Sequence, residues 1–214
     1  MRLLRLLISL LTLLIFFAPV PTSAGPEGQM TWGLHFSPTP GWFDPSELGT
    51  VSSYHTLYAL HDAMIRPSPG QPMSPSLAES WSTSPDGLVY EFVLRKGVKF
   101  HNGDPVSVED VKFSFERYRG NAHKMLRDRV ASIEILDPRR IRFRLKQAWP
   151  DFLTFYSSAT GAGWVVPKKY VEKVGDDGFK KAPIGAGPYR FVSFTRASSS
   201  PSKLSMDTGG KRLR

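Results

Sequence analysis

Cysteine is absent from all 214 residues. The chain can therefore form no disulfide, hold no metal through thiolate and use no cysteine nucleophile. A leader processed to a lipid-bearing cysteine is excluded on the same ground. Histidine spacing is equally unhelpful for metal. His55 and His61 lie six apart on an expected helix and so point to different faces, and His101-Asn102-Gly103-Asp104 puts too few ligands on one turn. Glu109 and Asp110 are adjacent in the first turn of an expected helix, a poor arrangement for a glycosidase pair. No phosphate loop and no nucleophile–base pair stands out. These gaps point away from an enzyme, and no cofactor is expected.

Apolar runs of any length are also scarce. Leu6–Phe17 is apolar apart from Ser9 and Thr12, short for a membrane span of about 20 residues, and no basic stop-transfer cluster follows it. Arg2 and Arg5 precede the run, Pro19 and Pro21 follow it, and Thr22-Ser23-Ala24 ends it with small residues. That is the layout of a cleavable secretory signal over residues 1–24. The mature chain is expected to start at Gly25 and to work outside the cytoplasm.

The formal net charge of +9 belongs mostly to the two ends. Setting aside the two leader arginines and a net four positive charges in residues 195–214 leaves a body of +3. An excess of that size concerns solubility and does not call for nucleic acid. Arg140, Arg142 and Arg144 alternate with Ile141, Phe143 and Leu145, the pattern of a strand with one solvated face. No aromatic residue interleaves on that face to stack bases.

The stretch Leu77–Tyr118 carries the strongest local signals. Pro85-Asp86-Gly87 predicts a turn, and Tyr90, Phe92 and Leu94 predict a strand with one buried face. Asn102-Gly103 predicts a second turn. Ser107 and Asp110 predict a capping box, followed by a helix that buries Val108, Val111, Phe115 and Tyr118 and ends at Gly120. Upstream, Met30–Leu34 predicts a short strand and Ser52–Ile65 a helix. Residues 66–76, with four prolines, predict a turn-rich connector. Downstream, Ile133 and Ile135 with Ile141, Phe143 and Leu145 predict a hairpin around Asp137-Pro138. Pro150–Tyr156 predicts a helix start, and Trp164–Tyr170 a buried strand running into a helix. Thr195–Arg214 is Ser-rich, basic and poor in large apolar residues, and is expected not to pack.

Several of these strings resemble the family 5 extracellular solute-binding proteins of ABC importers, the dipeptide- and oligopeptide-binding group. The matching residues are Leu77-Ala78-Glu79-Ser80-Trp81, Asp86-Gly87, Leu94–His101, Gly103 and Glu109-Asp110-Val111. Further matches are Asp151-Phe152-Leu153, Val166–Tyr170, Val174-Gly175 and Gly185–Phe191, where Ala186 stands in place of the family's usual Thr. The resemblance covers Gly25 to Phe194 and implies an α+β fold, the N-terminal lobe of a two-lobed, type II clamshell, with the second lobe missing. It implies a domain layout of leader 1–24, incomplete lobe 25–194 and unstructured tail 195–214.

It also implies a monomeric periplasmic component that hands a peptide or similar small solute to an ABC permease, with no nucleic-acid partner. His35, Phe36, Trp42 and Phe43 follow the family's first strand and become the expected ligand wall. A shifted reading frame would explain the abrupt loss of pattern after Phe194, and the lone lobe would then bind solute poorly. The alternatives are a truncated product without function and a secreted hydrolase.

Overall fold

The sheet at the centre grows from alternation that the sequence already displays. The computed structural model describes residues 39–47, 51–195 and 203–207, all within the unit Leu34–Leu213. The expected leader, the strand at Met30–Leu34 and the wall residues His35 and Phe36 lie outside the described residues. Three short 3-10 turns, Pro40–Phe43, Pro45–Glu47 and Val51–Ser53, lead into helix α1 (Tyr54–Leu60). A hairpin of β1 (Ile65–Ser68) and β2 (Gln71–Pro75) comes next. Then come β3 (Ala78–Thr83), β4 (Val89–Leu94), α2 (Val108–Arg117) and α3 (His123–Arg129). The remaining elements are β5 (Val130–Asp137), β6 (Arg140–Leu145), α4 (Phe152–Phe155), α5 (Lys168–Lys181), β7 (Arg190–Thr195) and β8 (Lys203–Asp207).

Strands β3, β4, β6 and β5 form one antiparallel sheet in that order. Tyr90, Phe92 and Leu94 of β4 share its buried face with Ile141, Phe143 and Leu145 of β6. The α2 residues Val108, Val111 and Phe115 close this core together with Phe152 and Tyr156. Phe143 is its hub, with ring centroids 5.7 Å from Phe92, 5.4 Å from Phe115 and 4.6 Å from Tyr156. Tilted and edge-on aromatic pairs at such distances add to plain area burial. On the opposite face Arg142 bridges Glu91 and Glu134, while Arg144 also reaches Glu134 at 2.6 Å. The arginine stripe is therefore a paired, solvated strand face.

Local signals produced the expected local structures. Gly87 adopts φ +68° in the turn before β4, and Asp86 accepts the Leu88 N–H at 3.0 Å. Ser107 and Asp110 form a reciprocal capping box, and the other Asp110 oxygen accepts the Lys168 N–H at 2.8 Å. One carboxylate thus serves the first turns of α2 and α5, where unpaired N–H groups need partners. Replacing Ser107 by Ala removes one of these acceptors. A loss of about 1 kcal/mol is expected, read as a melting temperature lower by about 2–4 °C.

Five expectations are corrected. Helix α1 stops at Leu60, and Ile65 already begins a strand. The Pro-rich connector 66–76 is a hairpin, because a two-stranded ribbon has free edges where proline costs no ladder bond. Helix α2 ends at Arg117, capped by Tyr118, and not at Gly120. The Tyr118 hydroxyl donates to Thr160 O at 2.7 Å, and its ring lies over Gly120, where an added Cβ would come within 2.6 Å. Finally, part of the tail packs. Lys203–Asp207 pairs antiparallel with β7, setting Leu204 opposite Phe194 and Met206 opposite Phe191. Two alternating apolar residues suffice for a strand there, although the tail's composition hides them. The expected buried strand at Trp164 is reduced to a single bridge, Ala63 to Trp164.

Candidate functional site

Trp42 and Phe43 share a 3-10 turn that starts after Thr39 and has Pro at its first position. Trp42 is half-buried, and its carbonyl accepts the Thr56 hydroxyl at 3.0 Å. Phe43 is 1% exposed, its ring 5.5 Å from Phe191 and 5.3 Å from Phe194. Of the two described wall residues, Trp42 reaches the surface while Phe43 packs behind it onto β7.

Asp44 follows directly and is fully buried. Arg117 at the end of α2 grips both its oxygens, at 2.7 and 2.5 Å, and reaches Asp176 of α5 at 2.8 Å. The Ser46 N–H adds a bond to Asp44 at 2.9 Å. Burial alone would raise the Asp44 carboxyl, but the guanidinium and the Ser46 donor outweigh it and hold the carboxyl below the usual range. The cluster fastens the Trp42–Asp44 segment to two helices through Arg117, which lies 73 residues from Asp44 and 59 from Asp176 in sequence.

Helix α1 carries two tyrosines toward the loop 157–163. Tyr54 OH donates to Ala159 O at 2.5 Å, and Tyr58 OH pairs with Ser158 Oγ at 3.0 Å. With Tyr118 on Thr160, three phenols hold this loop. Burial and the neighbouring phenols push the Tyr54 hydroxyl up to about 12. Both α1 tyrosines pack against Trp164, with centroids 5.5 and 5.3 Å away. A cavity of about 70 Å³ opens here, lined by Tyr58, His61, Asp62, Arg66, Ser158, Trp164 and Pro188. Burial raises the Asp62 carboxyl, which takes the Ser76 hydroxyl and the Ala63 amide.

A second, smaller void of about 10 Å³ lies beside Arg117 and Tyr118. Small-molecule pockets run to about 300 Å³ or more, so neither holds a peptide. Among the described residues no group of three or more metal-ligating side chains converges, and no helix is long and apolar enough to cross a membrane. Around the larger cavity Tyr58, Ser158, Asp62 and Arg66 offer groups that can hydrogen-bond, while the Trp164 indole is buried.

The sequence reading missed the Asp44–Arg117 pair and the phenol clasp. The Asp44-Pro45 dipeptide was visible, but nothing local marks its partner.

Residues 72–200 match the bacterial extracellular solute-binding proteins, family 5 Middle. Di/tripeptide-binding protein 2 of Pseudomonas aeruginosa is 31% identical over 87% of this chain, which spans 39% of that relative's length. Among solved structures, the mannopinic acid complex of MoaA from A. tumefaciens R10 superposes with TM-score 0.66 at 30% identity. It covers 78% of this chain and 35% of its own. The ABC transporter-associated periplasmic binding protein DppA of Helicobacter pylori, in complex with the peptide STSA, gives 0.59 at 32% identity. There the shared part is 72% of this chain and 35% of that one. The mixed sheet-and-helix fold is thus part of a periplasmic-binding-protein fold, and the chain belongs to the family 5 bacterial extracellular solute-binding proteins, whose members bind solutes and are not enzymes.

Proposed function

We propose that this chain supplies one wall of the solute site in a periplasmic, monomeric binding protein that delivers short peptides to an ABC permease. Residues 1–24 act as the cleaved, non-lipidated leader in this reading. The observation that carries it is the anchoring of the Trp42 segment. A partly exposed indole sits on a backbone fixed by Asp44, Arg117 and Thr56, which is how a rigid aromatic contact is presented to a guest. His35 and Phe36 extend the wall, and Phe43 supports it from behind. The relatives' ligands, di- and tripeptides and the peptide STSA, favour peptides as the solute class.

The test is a chimera in which residues 39–195 replace their counterparts in the Pseudomonas di/tripeptide-binding relative. The chimera is expected to bind a dipeptide with micromolar affinity, and Trp42→Ala within it to weaken binding at least about tenfold, the scale of one buried aromatic anchor. Unchanged affinity in Trp42→Ala would remove Trp42 from the wall. A folded chimera that binds no peptide would overturn the reading.

A further inference from the structure

His61 follows the last residue of α1, its backbone N–H on Leu57 O at 2.8 Å and its side chain 2% exposed. Its Nε2 lies 2.8 Å from Phe43 O. A carbonyl only accepts, so Nε2 carries the proton and Nδ1 the lone pair. That Nδ1 is buried without a hydrogen-bond partner and lies against Gly185, where an added Cβ would stand 2.6 Å from it.

Gly185 begins a strap across the C-terminal end of α1. Gly187 N–H donates to Leu60 O at 3.0 Å, and Tyr189 N–H to Ala59 O at 2.9 Å. These bonds satisfy carbonyls that a helix end leaves unpaired. His101 holds the strap from its other side. Its Nε2 donates to Gly187 O at 2.9 Å, its backbone N–H to Gly185 O at 2.9 Å, and its Nδ1 accepts the Gly185 N–H at 3.3 Å. Strand β7 follows directly.

We propose that His61 is an acid-sensitive latch: adding a proton at Nδ1 lifts the Gly185–Tyr189 strap, with the β7–β8 hairpin, off α1 while the four-stranded sheet stays folded. With the strap seated, a second ring N–H would be buried beside Gly185 with no acceptor. With the strap lifted, water reaches it. Protons therefore bind the lifted state better and shift the population toward it.

The charged groups around the ring come from several elements. Burial, His101 and Arg117 oppose a positive ring, whereas the Phe43 carbonyl and Asp44 favour it, and Asp44 is already committed to Arg117. The neighbouring Asp62 carboxylate is held by Ser76 and the Ala63 amide. The balance pushes His61 down to about 4, against about 6.5 for a solvated imidazole. That difference caps the acid-driven shift at about 300-fold.

Amide hydrogen exchange, corrected for the pH dependence of intrinsic exchange, tests the proposal on the full chain. Between pH 7 and pH 4.5 the protection of Gly187 and Tyr189 is expected to fall by about 60-fold, while Phe92 and Ile141 keep theirs. In His61→Gln the strap's response to acid should vanish. Nitrogen-15 shifts of the wild-type ring provide a second readout that needs no variant, with Nδ1 unprotonated at pH 7 and protonated only as strap protection is lost. Strap and sheet losing protection together would overturn the latch. So would an acid response preserved in His61→Gln, or a ring that titrates near 6.5 with the strap still seated.

Discussion

Replacing Arg117 by Ala is expected to destabilise the protein by about 3–5 kcal/mol, the cost of stranding one member of a buried ion pair. Asp44 has no exposed surface and, among the described residues, would keep only Ser46 as a hydrogen-bond partner. Asp176 would lose the same partner, but it stands in solvent and loses little. The guanidinium also lies 5.5 Å from the Phe179 ring, so the truncation removes packing as well as charge. Against a typical total of about 5–15 kcal/mol, this is a large fraction.

Urea titration measures the loss, and a cycle with Asp44→Ala separates the pair from its surroundings. The double variant should be less damaged than the sum of the singles, because neither then leaves a buried charge alone. The pair also has an acid signature. The folded Asp44 carboxyl titrates below its unfolded value, so its contribution is complete above about pH 4 and is lost as pH falls through the lower, folded value. His61 acts in the same direction over a different window. Unfolded, it takes a proton near pH 6.5 that the seated structure refuses until about 4, so stability falls with acid across that interval.

Replacing Gly185 or Gly187 by Val is expected to cost more than about 3 kcal/mol, beyond ordinary overpacking. A Cβ on Gly185 would stand 2.0 Å from Leu60 O, and one on Gly187 2.5 Å from Leu60 C. Both obstacles are backbone atoms of the α1 terminus, which no side-chain rotation can clear. The strap would have to leave α1 and surrender the bonds of Gly187 and Tyr189. Gly41 is the control: a Cβ there meets nothing nearer than 3.9 Å, so Gly41→Ala should stay within about 0.5 kcal/mol. Thermal melts of the three variants beside the parent decide the matter. Equal melting temperatures would mean that the strap does not sit on α1.

These two sites also mark what could be read from the sequence. Strand β4, the Ser107–Asp110 box and the β5–β6 hairpin were legible because each is set by residues a few positions apart. The order of motifs exposed the family for the same reason. Contacts across 73 residues leave no local trace, so nothing beside Asp44 or Arg117 in the sequence marks their pairing. His61 was read as a helix residue, whereas it lies just past the helix end with one nitrogen fixed by Phe43. Gly185 and Gly187 were noticed as a motif, but their reason, contact with the α1 carbonyls, exists only in three dimensions. The strand at Lys203–Asp207 was hidden by serine and basic neighbours, and Leu204 and Met206 gain meaning only opposite Phe194 and Phe191.

The wall reading rests on this polypeptide presenting one side of a solute site. The two cavities described above, about 10 and 70 Å³, are too small to enclose a peptide alone. Calorimetric titration of the 214-residue chain with di- and tripeptides tests this most directly. The account predicts no saturable heat up to about millimolar peptide, where binding is worth only about 4 kcal/mol. A micromolar dissociation constant for any of them would contradict it.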